Sequence, residues 1–132
     1  MNKREIGRTG EDFAAAYLEK QGMCIRERNF RNRQGEIDII GYHEGYLVFV
    51  EVKYRKGKNC GPASGAVNYR KQSRICRVAD YYRYVHKLDE FTPVRYDVVA
   101  IEKAGESNQG ETAETVDIEW IQNAFAHIYG RG

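Results

Sequence analysis

Glu36-Ile37-Asp38-Ile39-Ile40-Gly41-Tyr42-His43-Glu44-Gly45-Tyr46-Leu47-Val48-Phe49-Val50-Glu51-Val52-Lys53 reads as two strands joined by a tight turn. Side chains alternate faces along a strand. Val48, Val50 and Val52 therefore share one face, and Phe49, Glu51 and Lys53 share the other. Burial of the valines fixes the orientation of the strand. A carboxylate and an ammonium then project from the opposite side of a strand that is otherwise apolar, and a charged pair so placed needs a reason. A two-residue turn at Glu44-Gly45 pairs His43 with Tyr46, and hence Asp38 with Glu51 and Glu36 with Lys53. A four-residue loop keeps this pairing. A three-residue loop shifts it, unless a bulge restores it.

Carboxylates on facing strands have Cβ atoms about 4.5–5.5 Å apart and repel one another. A divalent cation relieves that repulsion. Mg²⁺ takes hard oxygen ligands, often one or two carboxylates with waters and substrate phosphate. Asp38 and Glu51 are the candidate ligands, and the Val52 carbonyl is a further oxygen. Lys53, one alternation along, is placed to orient a nucleophile and to stabilise charge developing on phosphorus. Glu11, on the first helix, reaches the same place as an orienting group or as a ligand of a second ion. Against this stands the plain alternative that each charge, taken singly, belongs to a solvated face.

On either side of this hairpin the pattern continues. Residues 4–21 read as a helix with Ile6, Gly10, Phe13 and Tyr17 on one stripe, Ala14 and Leu18 at its edge, and Gly22 as its stop. Residues 23–31 suggest a first strand, and 32–35 a turn. Residues 36–42 and 46–54 are the second and third strands. Glycines and Pro62 mark 55–65 as a loop. A long helix at 67–86 follows, then a fourth strand at 94–101, a polar segment at 104–114, a fifth strand at 115–121 and a short helix at 122–128. The order is that of a single α/β domain, two helices flanking a central mixed sheet.

A chain of 132 residues with 42% apolar side chains is long enough to bury a core. No apolar run approaches the roughly 18–20 residues needed to cross a bilayer. The opening Met1-Asn2-Lys3-Arg4-Glu5 is unlike an apolar signal core. Cys24, Cys60 and Cys76 are odd in number and widely spaced, which argues against a disulfide framework or a zinc site. The expected location is cytoplasmic, with no membrane partner. Net charge is +2 overall, but residues 26–77 carry +7 and residues 78–132 carry −5. The basic middle holds the Glu51/Lys53 run, and a polyanionic partner fits there.

With these residues in hand, the chain resembles the YraN family of small bacterial proteins of uncharacterised function, within the PD-(D/E)xK nuclease superfamily. The resemblance rests on Gly7-Arg8-Thr9-Gly10-Glu11, Gly35-Glu36-Ile37-Asp38-Ile39-Ile40, Phe49-Val50-Glu51-Val52-Lys53, Arg70-Lys71-Gln72, Tyr96-Asp97-Val98-Val99-Ala100-Ile101 and Asn123-Ala124-Phe125. It covers roughly residues 4–126. It implies a restriction-endonuclease-like αβββαβ core, closest in style to Holliday-junction resolvases. It also implies Mg²⁺ or Mn²⁺ bound by Asp38 and Glu51, Lys53 as catalytic lysine, Glu11 as the helix-borne acid, and Lys71 and Gln72 as polar contributions of the second helix. One departure is that Ile37, not proline, precedes Asp38. The substitution is mild, because the carboxylate performs the chemistry.

Arg55 and Lys56 follow the Glu51/Lys53 strand directly. Arg70, Arg74 and Arg77 share a face of the second long helix, beside Lys71 and Gln72. Such groups grip phosphates rather than read bases. The expected activity is Mg²⁺- or Mn²⁺-dependent hydrolysis of phosphodiesters in nucleic acid, DNA before RNA, at branched or repair intermediates. A two-fold homodimer is the assembly a junction-cutting enzyme would use. Two other readings stay open: a non-catalytic nucleic-acid-binding module of the same fold, and a protein-interaction adaptor using the tyrosine-rich second helix.

Overall fold

A computed structural model of the chain describes residues 3–55, 67–103 and 116–129. Lys56, most of the expected loop at 55–65 and the polar segment at 104–114 lie outside the described residues. Helix Lys3–Lys20 (α1) leads into three strands, Cys24–Asn32 (β1), Gly35–His43 (β2) and Tyr46–Arg55 (β3). Helix Tyr69–Val85 (α2) follows, then strands Val94–Lys103 (β4) and Val116–Phe125 (β5). The sheet order is β1-β2-β3-β4-β5, with β3 and β4 parallel and the other neighbours antiparallel. The expected mixed α/β architecture is present, in the element order of a restriction-endonuclease-like core.

The β2–β3 turn is the two-residue type, with positive φ at Glu44 (51°) and Gly45 (85°), as a type I′ hairpin requires. His43 pairs with Tyr46, and the ladder runs from there to Ile39–Val50. The valine face of β3 lies under α1: Val48, Val50 and Val52 join Ile39, Val99, Ala14, Ala15 and Leu18 in one buried cluster. Leu47 and Phe49 face α2, packing with Ile37, Ile40, Ile75, Val78, Ala79 and Tyr82 in a second. Central β3 is thus covered on both faces, which explains its nearly continuous apolar run.

Two expectations about the helices need correction. The buried stripe of α1 centres on Gly10, Ala14 and Leu18, while Phe13 is 46% exposed. Small Ala14 and Ala15 let the helix come close to the sheet, and the bulky ring is left at the margin. Residues 122–128 do not form a helix. β5 continues to Phe125, whose ring stacks on Tyr96 at 5.1 Å. The strand survives its polar Gln122-Asn123 step because Asn123 adopts positive φ (53°) and its N–H donates to Asp97 Oδ1 at 2.9 Å.

Candidate metal centre

The site forms where β1 and β2 change faces. Arg28 pairs with Ile39 and Phe30 with Ile37, yet Ile39 packs in the α1 cluster, while Ile37 and Phe30 pack in the α2 cluster. Strict alternation would put residues two apart on one side. The break falls at Asn29 and Asp38. Asn29 takes positive φ (56°), which asparagine tolerates better than most residues. The expected Asp38–Glu51 and Glu36–Lys53 strand pairs do not form: the β2–β3 ladder stops at Ile39–Val50, and Asp38 Oδ2 accepts the Val52 N–H at 2.7 Å. A side-chain oxygen therefore takes the place of a strand carbonyl, and the two strands part around it.

Glu11, Glu36 and Asp38 each offer an oxygen, and these oxygens lie within 4.8 Å of one another. α1 supplies the first and β2 the other two. The Asn29 side-chain nitrogen, in the orientation that satisfies its neighbours, donates to Glu11 Oε1 and Oε2 (3.2 and 3.1 Å) and to Glu36 Oε1 (2.9 Å). Arg28 stands 3.9 Å from Glu11 but binds Asp12 more closely, at 2.8 Å. Burial pushes the Asp38 carboxyl up to about 8, the Glu51 charge adds to the rise, the Val52 hydrogen bond opposes it, and Glu11 and Glu36 raise it further. Burial and neighbouring like charges disfavour the carboxylate form, whereas a hydrogen bond donated to it favours that form.

Glu51 is buried and forms an ion pair with Lys71 Nζ at 2.6 Å. Glu51 and Lys53 line a cavity of about 350 Å³ with Val52, Tyr54, Val67, Asn68 and Lys71. The structure therefore brings Glu11, Asp38, Glu51, Lys53 and Lys71 to one end of β3, with Glu51 on the Lys71 side and Glu11 on the Asp38 side. Of the expected phosphate contacts, Arg70 and Arg74 are exposed on α2. Gln72 instead donates to the Val67 carbonyl at 2.7 Å, beside the Asn68 cap of α2. Arg55 lies 3.3 Å from Glu119 and 3.9 Å from Glu102. Arg77 donates to the Ile128 carbonyl and stands 3.7 Å from Asp80, tying the tail to α2.

Sequence reasoning passed over Asn29, Glu36 and Tyr54 as site residues. Glu36 had a legible signal, since Glu36-Ile37-Asp38 puts two carboxylates on one strand at the spacing of Glu51 and Lys53. Asn29 had none, because nothing in Arg28-Asn29-Phe30 announces a left-handed residue inside a strand.

The model of the uncharacterised protein family UPF0102 matches residues 10–101. The chain belongs to UPF0102. A UPF0102 protein of Lachnoclostridium phytofermentans is 46% identical over 125 residues, covering 95% of this chain and 96% of that protein. Another, from Syntrophotalea carbinolica, is 44% identical over 106 residues, covering 80% and 85% of the two chains. A third, from Colwellia psychrerythraea, is 42% identical over 120 residues, covering 90% and 87%. The UPF0102 match spans Glu11, Asp38, Glu51, Lys53 and Lys71, so the whole site lies within the family's shared region. Among the described residues, no helix is long and apolar enough to cross a membrane.

Proposed function

We propose that this UPF0102 protein is a Mg²⁺- or Mn²⁺-dependent nuclease that hydrolyses phosphodiester bonds in DNA. The observation that carries the reading is the convergence of the Glu11, Glu36 and Asp38 oxygens within 4.8 Å, with Lys53 carried by the neighbouring strand β3. Three carboxylates without a histidine or cysteine are the donor set of a hard cation rather than of zinc. Their fit is supported by Asp38, whose carboxyl is driven up by burial and by its acidic neighbours, a cost that a bound divalent charge offsets. Glu11, Glu36 and Asp38 would hold the ion. When bound, such an ion polarises a phosphate oxygen and makes coordinated water more acidic.

The chain's own residues supply the rest. The Val52 amide fixes the Asp38 carboxylate. Lys53 lines the cavity, and its ammonium would stabilise negative charge on a phosphate bound there. Lys71, on the other side, carries a second positive charge, held by Glu51. Exposed Arg70 and Arg74 extend the cationic surface along α2 for the flanking backbone. The Glu51–Lys71 pair favours one second reading, a non-catalytic DNA-binding module, because it engages a carboxylate that the superfamily resemblance makes a metal ligand. Electron paramagnetic resonance of added Mn²⁺ tests the carrying observation. The unaltered protein should immobilise Mn²⁺, and Asp38→Asn should lose at least about tenfold in affinity, the scale on which removing a ligand's support already acts. Equal binding by the two proteins would overturn the metal site.

A further inference from the structure

Gly10, immediately before Glu11, lies inside a helix, where glycine is a poor choice unless something must come close. Tyr54 is what comes close. A Cβ built on Gly10 would stand 1.6 Å from the Tyr54 hydroxyl oxygen, 2.3 Å from Cζ and 2.4 Å from Cε1. The tip of the tyrosine therefore occupies the space a side chain would take. Tyr54 is 45% exposed overall, and its hydroxyl end is the part that meets Gly10. Tyr54 follows Lys53 directly on β3 and shares the α1 side with Val50 and Val52. Burial and the nearby Glu11 and Asp38 charges push its pKa above the usual phenol value, and a hydrogen bond with the Glu11 backbone opposes the rise. Tyr54 thus remains a neutral phenol beside a cluster of carboxylates.

We infer that Tyr54 is a positioning residue: its hydroxyl end, seated on the bare backbone of Gly10, holds the turn of α1 that carries Glu11 in register with Glu36 and Asp38. The inference rests on the reading of that cluster as a divalent-cation site. Without this clamp, α1 would still be anchored by Ala14, Ala15 and Leu18 further along, but its Glu11 turn would be free to move off the sheet. Because the clashing atoms are the end of a partly exposed side chain, Gly10→Ala displaces the ring rather than unfolding the helix. Gly10→Ala and Tyr54→Leu should then cause the same defect.

The test is a double-variant cycle on the full chain, read by calorimetric titration with Mn²⁺, by the Glu11 amide exchange rate and by the thermal midpoint in chelator. Each single variant should weaken Mn²⁺ binding about tenfold and speed Glu11 exchange, with little change in midpoint. The double variant should be no weaker than either single one, since both substitutions remove the same interaction. Defects that multiply, or Tyr54→Leu affinity within about twofold of the unaltered protein while Glu11→Gln abolishes binding, would overturn the clamp alone. Should the unaltered protein bind no Mn²⁺, the cation reading falls with the clamp's purpose. Unchanged Glu11 exchange in Tyr54→Leu would then dismiss the clamp independently. If Gly10→Ala fails to fold, Tyr54→Leu carries the same comparison.

Discussion

Burial and the Glu51 carboxylate hold the Asp38 acid at about 8 instead of its ordinary 3.8, and this has two measurable consequences. Between about pH 4 and pH 8 the folded protein keeps a proton that the unfolded chain has released. Stability of the metal-free protein should therefore fall as pH rises through that window. Asp38→Asn should flatten the fall, read as the thermal midpoint in chelator from about pH 5 to pH 8.5. A midpoint that rises over the same range in the unaltered protein would contradict the raised acid. Mn²⁺ must displace the same proton, so its affinity should climb toward about pH 8 and level off above it. An affinity independent of pH between about 6 and 8 would count against Asp38 as a ligand. Individual residues were legible in the sequence where burial has period two. The Val48/Val50/Val52 face follows from alternation, and the His43–Tyr46 pairing from the two-residue turn at Glu44-Gly45. The sequence was silent at Asn29, whose positive φ marks the place where β1 changes faces opposite the same change at Asp38 in β2.

Among the elements, β4 and β5 are locked by a polar group rather than by packing alone. Asp97, fully buried, accepts from Arg95 Nε and Nη2 (both 2.9 Å), Trp120 Nε1 (2.8 Å) and the Asn123 amide. Arg95 Nη2 also meets His43 Nδ1 at 2.9 Å. A guanidinium can only donate, so Nδ1 accepts and the ring proton sits on Nε2. The network joins β2, β4 and β5 on the face that carries Trp120, whose ring meets Tyr17 of α1 edge-on. Asp97→Ala would leave Arg95 buried and unpaired, at a cost of about 3–5 kcal/mol. Urea unfolding measures it, and a destabilisation under about 1 kcal/mol would contradict the lock. The element order was readable because long periodic segments and turn residues mark it. The end of the chain was misread because its extension depends on Asp97, far back in β4. Helical spacing also placed Arg77 with Arg70 and Arg74, but its partner, the Ile128 carbonyl, belongs to that same tail.

Across the molecule, the uneven charge of the chain acquires a place. The basic stretch 26–77, net +7, contains β3 and the start of α2, where Lys71 lines the Lys53 cavity and Arg70 and Arg74 are exposed on the same helix. The acidic stretch that follows supplies β4 and β5, whose Glu102 and Glu119 approach Arg55. DNA binding should weaken steeply with salt. Replacing both Arg70 and Arg74 by alanine should reduce the log–log salt slope by up to about 2, since each phosphate that an arginine neutralises adds about 0.9. Arg77→Ala, whose guanidinium is fastened to the tail, should leave the slope unchanged. Equal slopes for the double variant and the unaltered protein would remove these arginines from the interface.

Whether the carboxylates and the lysine gathered at the end of β3 cut DNA is decided by cleavage. Linear duplex, single strand, flap and four-way junction should be offered with Mg²⁺ and with Mn²⁺, and Lys53→Ala, purified identically, should run beside the unaltered protein. At least one substrate should be cut, and the cutting should be abolished in Lys53→Ala and by chelator. Folded, metal-loaded protein that cuts none of them, or cutting that persists in the variant, would contradict the nuclease.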